Sequence, residues 1–212
     1  MERRSPVLMR RSLLFGVPFL YLVLGLLHPT ANPGVGDEAR LFIGLHIAQL
    51  FLIVGLGYML WLLVDGLDGL AATVARVLIL PFAVAYTALD AILGIAWGTV
   101  AQYATELPEA DQAAAGRLMD DLLATEPRGL ILYWGAGALW LAVALATVTA
   151  LRGVAPRGAL ALVTIGSVSF AIAHARPVGP IGMGLILAGL VWMELWPRDV
   201  EVTRGADSMR ES

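Results

Sequence analysis

The sequence predicts an all-α protein that crosses a membrane as a bundle of six helices, with the N- and C-termini both cytoplasmic. The first observation behind this prediction is composition: 58% of the 212 residues are hydrophobic and 15% are charged, whereas soluble domains carry about 25% charged residues. The second is that the apolar residues fall into six long runs, and the third is that arginines favour one side of those runs.

Six apolar runs divide residues 1–196 into the spans of one membrane domain. A spanning helix needs about 20 mainly apolar residues, because each residue rises about 1.5 Å and the hydrocarbon core is about 30 Å thick. The first run and the last two are short by this measure. The predicted spans are 12–28, 40–64, 77–102, 129–151, 158–175 and 178–196.

The arginines set the orientation of the predicted bundle. All 14 basic residues are arginines, a usage typical of some bacterial proteomes. With a cytoplasmic N-terminus, ten fall in inner segments and four in outer ones, as membrane proteins prefer. The inner ten are Arg3, Arg4, Arg10, Arg11, Arg76, Arg152, Arg157, Arg198, Arg204 and Arg210, and the outer four are Arg40, Arg117, Arg128 and Arg176. A multi-pass protein of the plasma membrane is expected.

Two polar segments lie outside the predicted spans. The outer loop 103–128 contains many helix-forming residues, and Pro108 followed by Glu109 is a favourable helix start, so a short surface helix is predicted there. Residues 197–212 are polar and alternate in charge sign, which predicts a disordered cytoplasmic tail.

Composition excludes several classes of function. The chain has no Lys and no Cys, which excludes Schiff-base chemistry, thiolate nucleophiles and cysteine-bound clusters. A net charge of −3 argues against a nucleic-acid-binding surface. Neither a Gly-x-Ser-x-Gly elbow nor a pair of deep aspartates is present, so an enzyme is not favoured. The expected partners are the lipid bilayer and either a second copy of the chain or a subunit of a membrane complex.

All three histidines of the chain are predicted in the outer half of the membrane. His28 ends an outward-running helix, His46 lies about 9 Å along an inward-running helix from Arg40, and His174 ends another outward-running helix. Neutral imidazole binds zinc, copper, nickel and haem iron. A divalent metal site at His28, His46 and His174 is therefore one hypothesis, and haem bound between His46 and His174 is its variant.

A fourth ligand for such a metal is available nearby in the sequence. Asp37 and Glu38 lie in the outer loop that precedes the second span. Carboxylate oxygen joins imidazole nitrogen in many zinc sites.

Asp90 is the other candidate, because an ionisable residue in the middle of a span is costly and often functional. Tyr86 and Asp90 share one predicted helix face with Gly94 and Gly98, whose spacing permits close helix approach.

A ligand-binding pocket is predicted from Asp90, Tyr86, Thr87 and His46, although the depths of His46 and Asp90 differ by roughly 10 Å in this prediction. The leading hypothesis is a membrane protein that binds or transports a small ligand or proton through this pocket. The alternatives are a haem or metal protein, including an oxidoreductase subunit, and an assembly partner of a membrane complex.

Overall fold

The structure is a computed structural model that describes residues 4–29, 37–124 and 127–196, and these residues confirm the predicted all-α class. The predicted tail 197–212 lies outside them. The helices are α1 (Arg4–Leu27), α2 (Asp37–Val64), α3 (Leu70–Leu89), a π-helical segment (Asp90–Ala96), α4 (Trp97–Ala104), α5 (Glu109–Ala124), α6 (Pro127–Ala150), α7 (Arg157–Ile172) and α8 (Val178–Leu195).

Five helical stretches are long and apolar enough to cross a membrane, so the chain is a multi-pass integral membrane protein. They are Val7–Leu27, Glu38–Val64, Leu70–Ala104, Leu132–Ala150 and Val178–Leu195. The predicted span 158–175 is the exception. Its helix, α7, has 16 residues, which reach about 24 Å rather than the roughly 30 Å of a hydrocarbon core. Helix length alone therefore supports five of the six predicted spans.

Six helices, α1, α2, α3, α6, α7 and α8, form a closed ring around one core. Going round the ring, α1 contacts α2, α2 contacts α3, α3 contacts α6, α6 contacts α7, α7 contacts α8, and α8 returns to α1. The centre is filled by large side chains that are almost completely buried, among them Ile53, Phe82, Trp140, Phe170 and Met183. The short helix α5 lies outside the ring, within the loop for which a surface helix is predicted, and contacts α4 and α6.

The outward faces of the ring are apolar, as contact with lipid requires. Large hydrophobic side chains project away from the core on most of the helices, including Phe51, Val54, Leu80, Val84 and Ile165. Ile165 belongs to α7, so this shorter helix also presents an apolar face to its surroundings. The protein interior and the outer surface are thus both hydrophobic, which is the expected pattern for a helix bundle in a bilayer.

Small residues allow α7 and α8 to pack backbone to backbone. A Cβ added at Gly182 would lie 2.7 Å from the carbonyl oxygen of Gly166, and one added at Gly189 would lie 2.8 Å from that of Ala159. Small residues at such contacts let membrane helices approach closely and gain dispersion energy. This pairing brings the α7–α8 connection, which carries His174, to one end of the ring.

The connection between α2 and α3 is fixed by Arg76. Its guanidinium donates hydrogen bonds to the carbonyl oxygens of Val64 and Leu67, at 2.6 and 2.7 Å. Val64 is the last residue of α2 and Leu67 follows it, so neither carbonyl accepts a hydrogen bond within the helix. Gly66 and Gly69 have φ angles of 73° and 102°, which glycine adopts without strain.

Candidate metal centre

The three histidines converge from three separate parts of the fold. His28 follows the last residue of α1, His46 lies in the third turn of α2, and His174 lies between α7 and α8. One ligand nitrogen from each residue lies within 4.8 Å of the other two. The ring centroid of His28 lies 5.1 Å from that of His46 and 5.5 Å from that of His174. The arrangement gathers every histidine of the chain into one cluster.

Backbone carbonyls set the tautomers of two of these rings. Nδ1 of His28 donates to the carbonyl oxygen of Pro29, and Nδ1 of His46 donates to that of Phe42, both at 2.8 Å. A carbonyl oxygen only accepts, so the proton of each neutral ring lies on Nδ1 and the lone pair lies on Nε2. Nε2 of His28 is buried and has no hydrogen-bond partner among the described residues. This is the orientation that histidine adopts when it ligates a metal.

His46 is held by the helix that faces it. A Cβ at Gly94, in the π-helical segment, would overlap the imidazole of His46, and a Cβ at Gly98 would lie 2.8 Å from Ile43. Glycine at both positions allows α2 to lie directly against the π-helical segment and α4, which is the close approach predicted from their spacing. Phe42 covers the cluster, with its ring centroid 4.2 Å from that of His46.

His174 is held by backbone contacts and by α6. A Cβ at Gly179 would overlap the backbone of His174, so the first turn of α8 packs against this residue. Tyr133 of α6 donates a hydrogen bond of 3.0 Å to the carbonyl oxygen of Ile172, at the end of α7. Its ring centroid lies 6.2 Å from that of His174. These contacts fix the non-helical segment that carries the third imidazole.

Asp90 opens onto a cavity beside the cluster. Its side chain is 1% exposed, and neither carboxylate oxygen has a hydrogen-bond partner among the residues that the structure describes. The cavity has a volume of about 130 Å³ and is lined by His46, Leu89, Asp90, Leu93, Gly94, Tyr133 and His174. Asp90 begins the π-helical segment, a type of irregularity that is frequent at functional sites.

The predicted ligand pocket is assembled only in part. His46 and Asp90 line the same cavity, although the sequence predicts a depth difference of roughly 10 Å. Tyr86 and Thr87 do not line it. Tyr86 instead stacks on Phe170, with ring centroids 5.8 Å apart, and belongs to the aromatic core.

The carboxylates predicted as a fourth metal ligand are not brought to the cluster. Glu38 is exposed at the start of α2 and is not part of the group of converging ligand atoms. The side chain of Asp37 lies outside the described part of the structure.

Two polar residues of this region are missed by the sequence interpretation. Tyr133 lines the cavity, and Gln49, one turn after His46, is 1% exposed with a side-chain oxygen that has no described partner. The His46-x-x-Gln49 spacing was available as a signal for Gln49, because residues three apart share a helix face. Nothing in the local sequence distinguishes Tyr133 from an aromatic residue at the membrane boundary.

In comparisons with known proteins, no family model, no curated protein and no solved structure matches this chain.

Proposed function

We propose that this membrane protein binds one first-row transition-metal ion through His28, His46 and His174. The observation that carries the proposal is the convergence of three imidazole nitrogens within 4.8 Å. Three histidines with an open fourth position form a common type of metal site. Bonds of about 2.0–2.1 Å to a tetrahedral ion require nitrogens about 3.3 Å apart. A movement of about an ångström by each ligand nitrogen would close the site.

A single ion suits this cluster better than haem. Haem iron offers two axial positions, on opposite faces of a macrocycle, whereas three imidazoles here approach one point. The adjoining cavity of about 130 Å³ has room for about four water molecules at roughly 30 Å³ each, and a macrocycle is much larger. Imidazole ligands are suited to Zn²⁺, Cu²⁺, Ni²⁺ and Fe²⁺.

The membrane topology proposed with this function has six spans and two cytoplasmic termini. Although α7 is short, it lies between α6 and α8 in the ring and exposes the apolar side chain of Ile165. The ten-to-four distribution of arginines supports this orientation in the plasma membrane. In this topology the three histidines lie near the outer boundary.

A second candidate function uses the same cavity without a metal. Both oxygens of buried Asp90 lack a described hydrogen-bond partner, and a buried polar group in that condition favours a ligand that completes its hydrogen bonds. In this alternative Asp90 binds a small ligand or carries a proton, and the histidines form a polar network beside it.

Metal content distinguishes the two functions. The protein is purified in mild detergent with a tag that contains no histidine, and its metals are measured by elemental mass spectrometry. The expected result is one transition-metal ion per chain in the wild type and loss of that ion in His46→Gln. Ser167→Ala is the control, because Ser167 is a buried polar residue outside the cluster. Absence of any ion from wild-type protein, even after incubation with Zn²⁺, would overturn the metal site and favour the second function.

A further inference from the structure

The histidine cluster has a side that faces the cavity and a side that does not. His46 and His174 line the cavity, whereas His28 does not. His28 is instead covered by Phe42, whose ring centroid lies 5.3 Å away. An ion held by all three imidazoles would therefore have its remaining coordination position on the side of Asp90.

Charge balance limits what can occupy that position. Three neutral imidazoles leave a divalent ion with its full charge, and an uncompensated charge in a buried site is costly. Among the cavity-lining residues, one carboxylate, that of Asp90, is present, and next to a dication its ionised form is favoured. It compensates one of the two positive charges. One positive charge remains.

We infer that the metal centre binds a small monovalent anion, such as hydroxide, as its fourth ligand inside this cavity. This inference rests on the proposed metal site. Asp90 is not among the converging ligand atoms, so it acts on the anion through space, by charge repulsion, rather than as a fourth ligand. The cavity volume of about 130 Å³ admits an anion of two or three heavy atoms.

The test uses Co²⁺ as a visible substitute for the native ion and azide as the anion. Metal-free protein in detergent is loaded with one equivalent of Co²⁺, and azide is titrated while the visible ligand-field bands are recorded. The wild type is expected to show a saturable change that corresponds to one azide per Co²⁺. Asp90→Asn keeps the shape of the side chain and removes its negative charge. Azide should bind this variant at least about tenfold more tightly, because a nearby repulsive charge has been removed.

Glu194→Gln is the matched control for loss of a carboxylate. Glu194 pairs with Arg11 at 2.8 Å, outside the histidine cluster and its cavity, so its azide affinity should equal that of the wild type. If Co²⁺ binds and azide leaves the wild-type spectrum unchanged, the inference is overturned while the metal site stands. Weaker azide binding in a folded Asp90→Asn would also overturn it. Failure of Co²⁺ to bind the wild type would overturn the metal site itself.

Discussion

The imidazole of His46 lies against the backbone of Gly94, and a Cβ at position 94 would occupy the volume of the ring. This contact connects a candidate ligand on α2 with the π-helical segment that begins at Asp90. It explains how a histidine and an aspartate on separate helices come to line one cavity. The absence of a side chain at position 94 is therefore a requirement of the site.

Gly94→Ala should weaken metal binding by displacing the His46 ring. The added methyl group displaces the His46 ring, and disturbance of the residues that orient a metal ligand typically costs about 10–100-fold in affinity. We expect a loss of this size in Zn²⁺ affinity, measured by competition with a chromophoric chelator.

Gly44→Ala is the control for this substitution. Gly44 lies on α2 near His46, and a Cβ there has nothing within 4 Å. Its Zn²⁺ affinity should be unchanged. Equal affinities in Gly94→Ala and the wild type would show that His46 does not need its present position to bind the metal.

Cysteine labelling tests the proposed topology, since the natural chain has no cysteine. Glu106→Cys and Arg176→Cys introduce thiols into exposed connections that the six-span topology assigns to the outside, and Val154→Cys introduces one on the inside. In intact cells a membrane-impermeant maleimide should label the first two variants and spare the third.

The comparison of Arg176→Cys with Val154→Cys is the decisive part of that experiment. These two positions flank α7, the helix of 16 residues. If they label alike in intact cells, α7 does not cross the membrane, and the number of spans is five.

Arg76→Gln should destabilise the connection between α2 and α3. The substitution removes a cationic donor from two backbone carbonyls, and hydrogen bonds to charged groups contribute about 1.5–3 kcal/mol each. We expect the free energy of unfolding in detergent to fall by about 2 kcal/mol. Arg152→Gln, at an exposed position in the α6–α7 connection, should change it by less than about 0.5 kcal/mol. Equal stabilities of the two variants would show that the contacts of Arg76 are energetically neutral.

Phe170→Ala should damage the aromatic core. Phe170 is 1% exposed, and its ring lies 5.6 Å from that of Tyr21 and 5.4 Å from that of Trp140. Removing a buried phenyl group typically costs about 3–5 kcal/mol. The thermal unfolding temperature in detergent should fall clearly, whereas Ile172→Ala, at an exposed position on the same helix, should leave it nearly unchanged. A similar melting temperature for both variants would contradict this description of the core.

The fold was largely predictable because a membrane helix requires a long apolar run, which is visible in the sequence. Long apolar runs identify five candidate spans, and Pro108 with Glu109 indicates the start of α5. The early end of α7 was not predictable in this way, because Ala173 and Ala175 are compatible with a helix. Two residues after the end of α7, the backbone of His174 packs against Gly179, which is a tertiary contact.

The site was predictable only in part, for a related reason. Helix direction was enough to predict that His28, His46 and His174 lie in one region of the fold. That His46 and Asp90 line one cavity was not predictable, because it depends on how α2 and the π-helical segment pack. Hydropathy contains no information about the helix neighbours around a ring, so the position of Tyr133 on the cavity could not be derived from it.

The most direct test of the central claim is zinc K-edge X-ray absorption on wild-type protein loaded with one equivalent of Zn²⁺ and dialysed to remove loosely bound metal. Three imidazole nitrogens at about 2.0–2.1 Å from the zinc are the expected first shell. A sample that retains no zinc, or a zinc with fewer than three imidazole ligands, would contradict the assignment of His28, His46 and His174 to one metal centre.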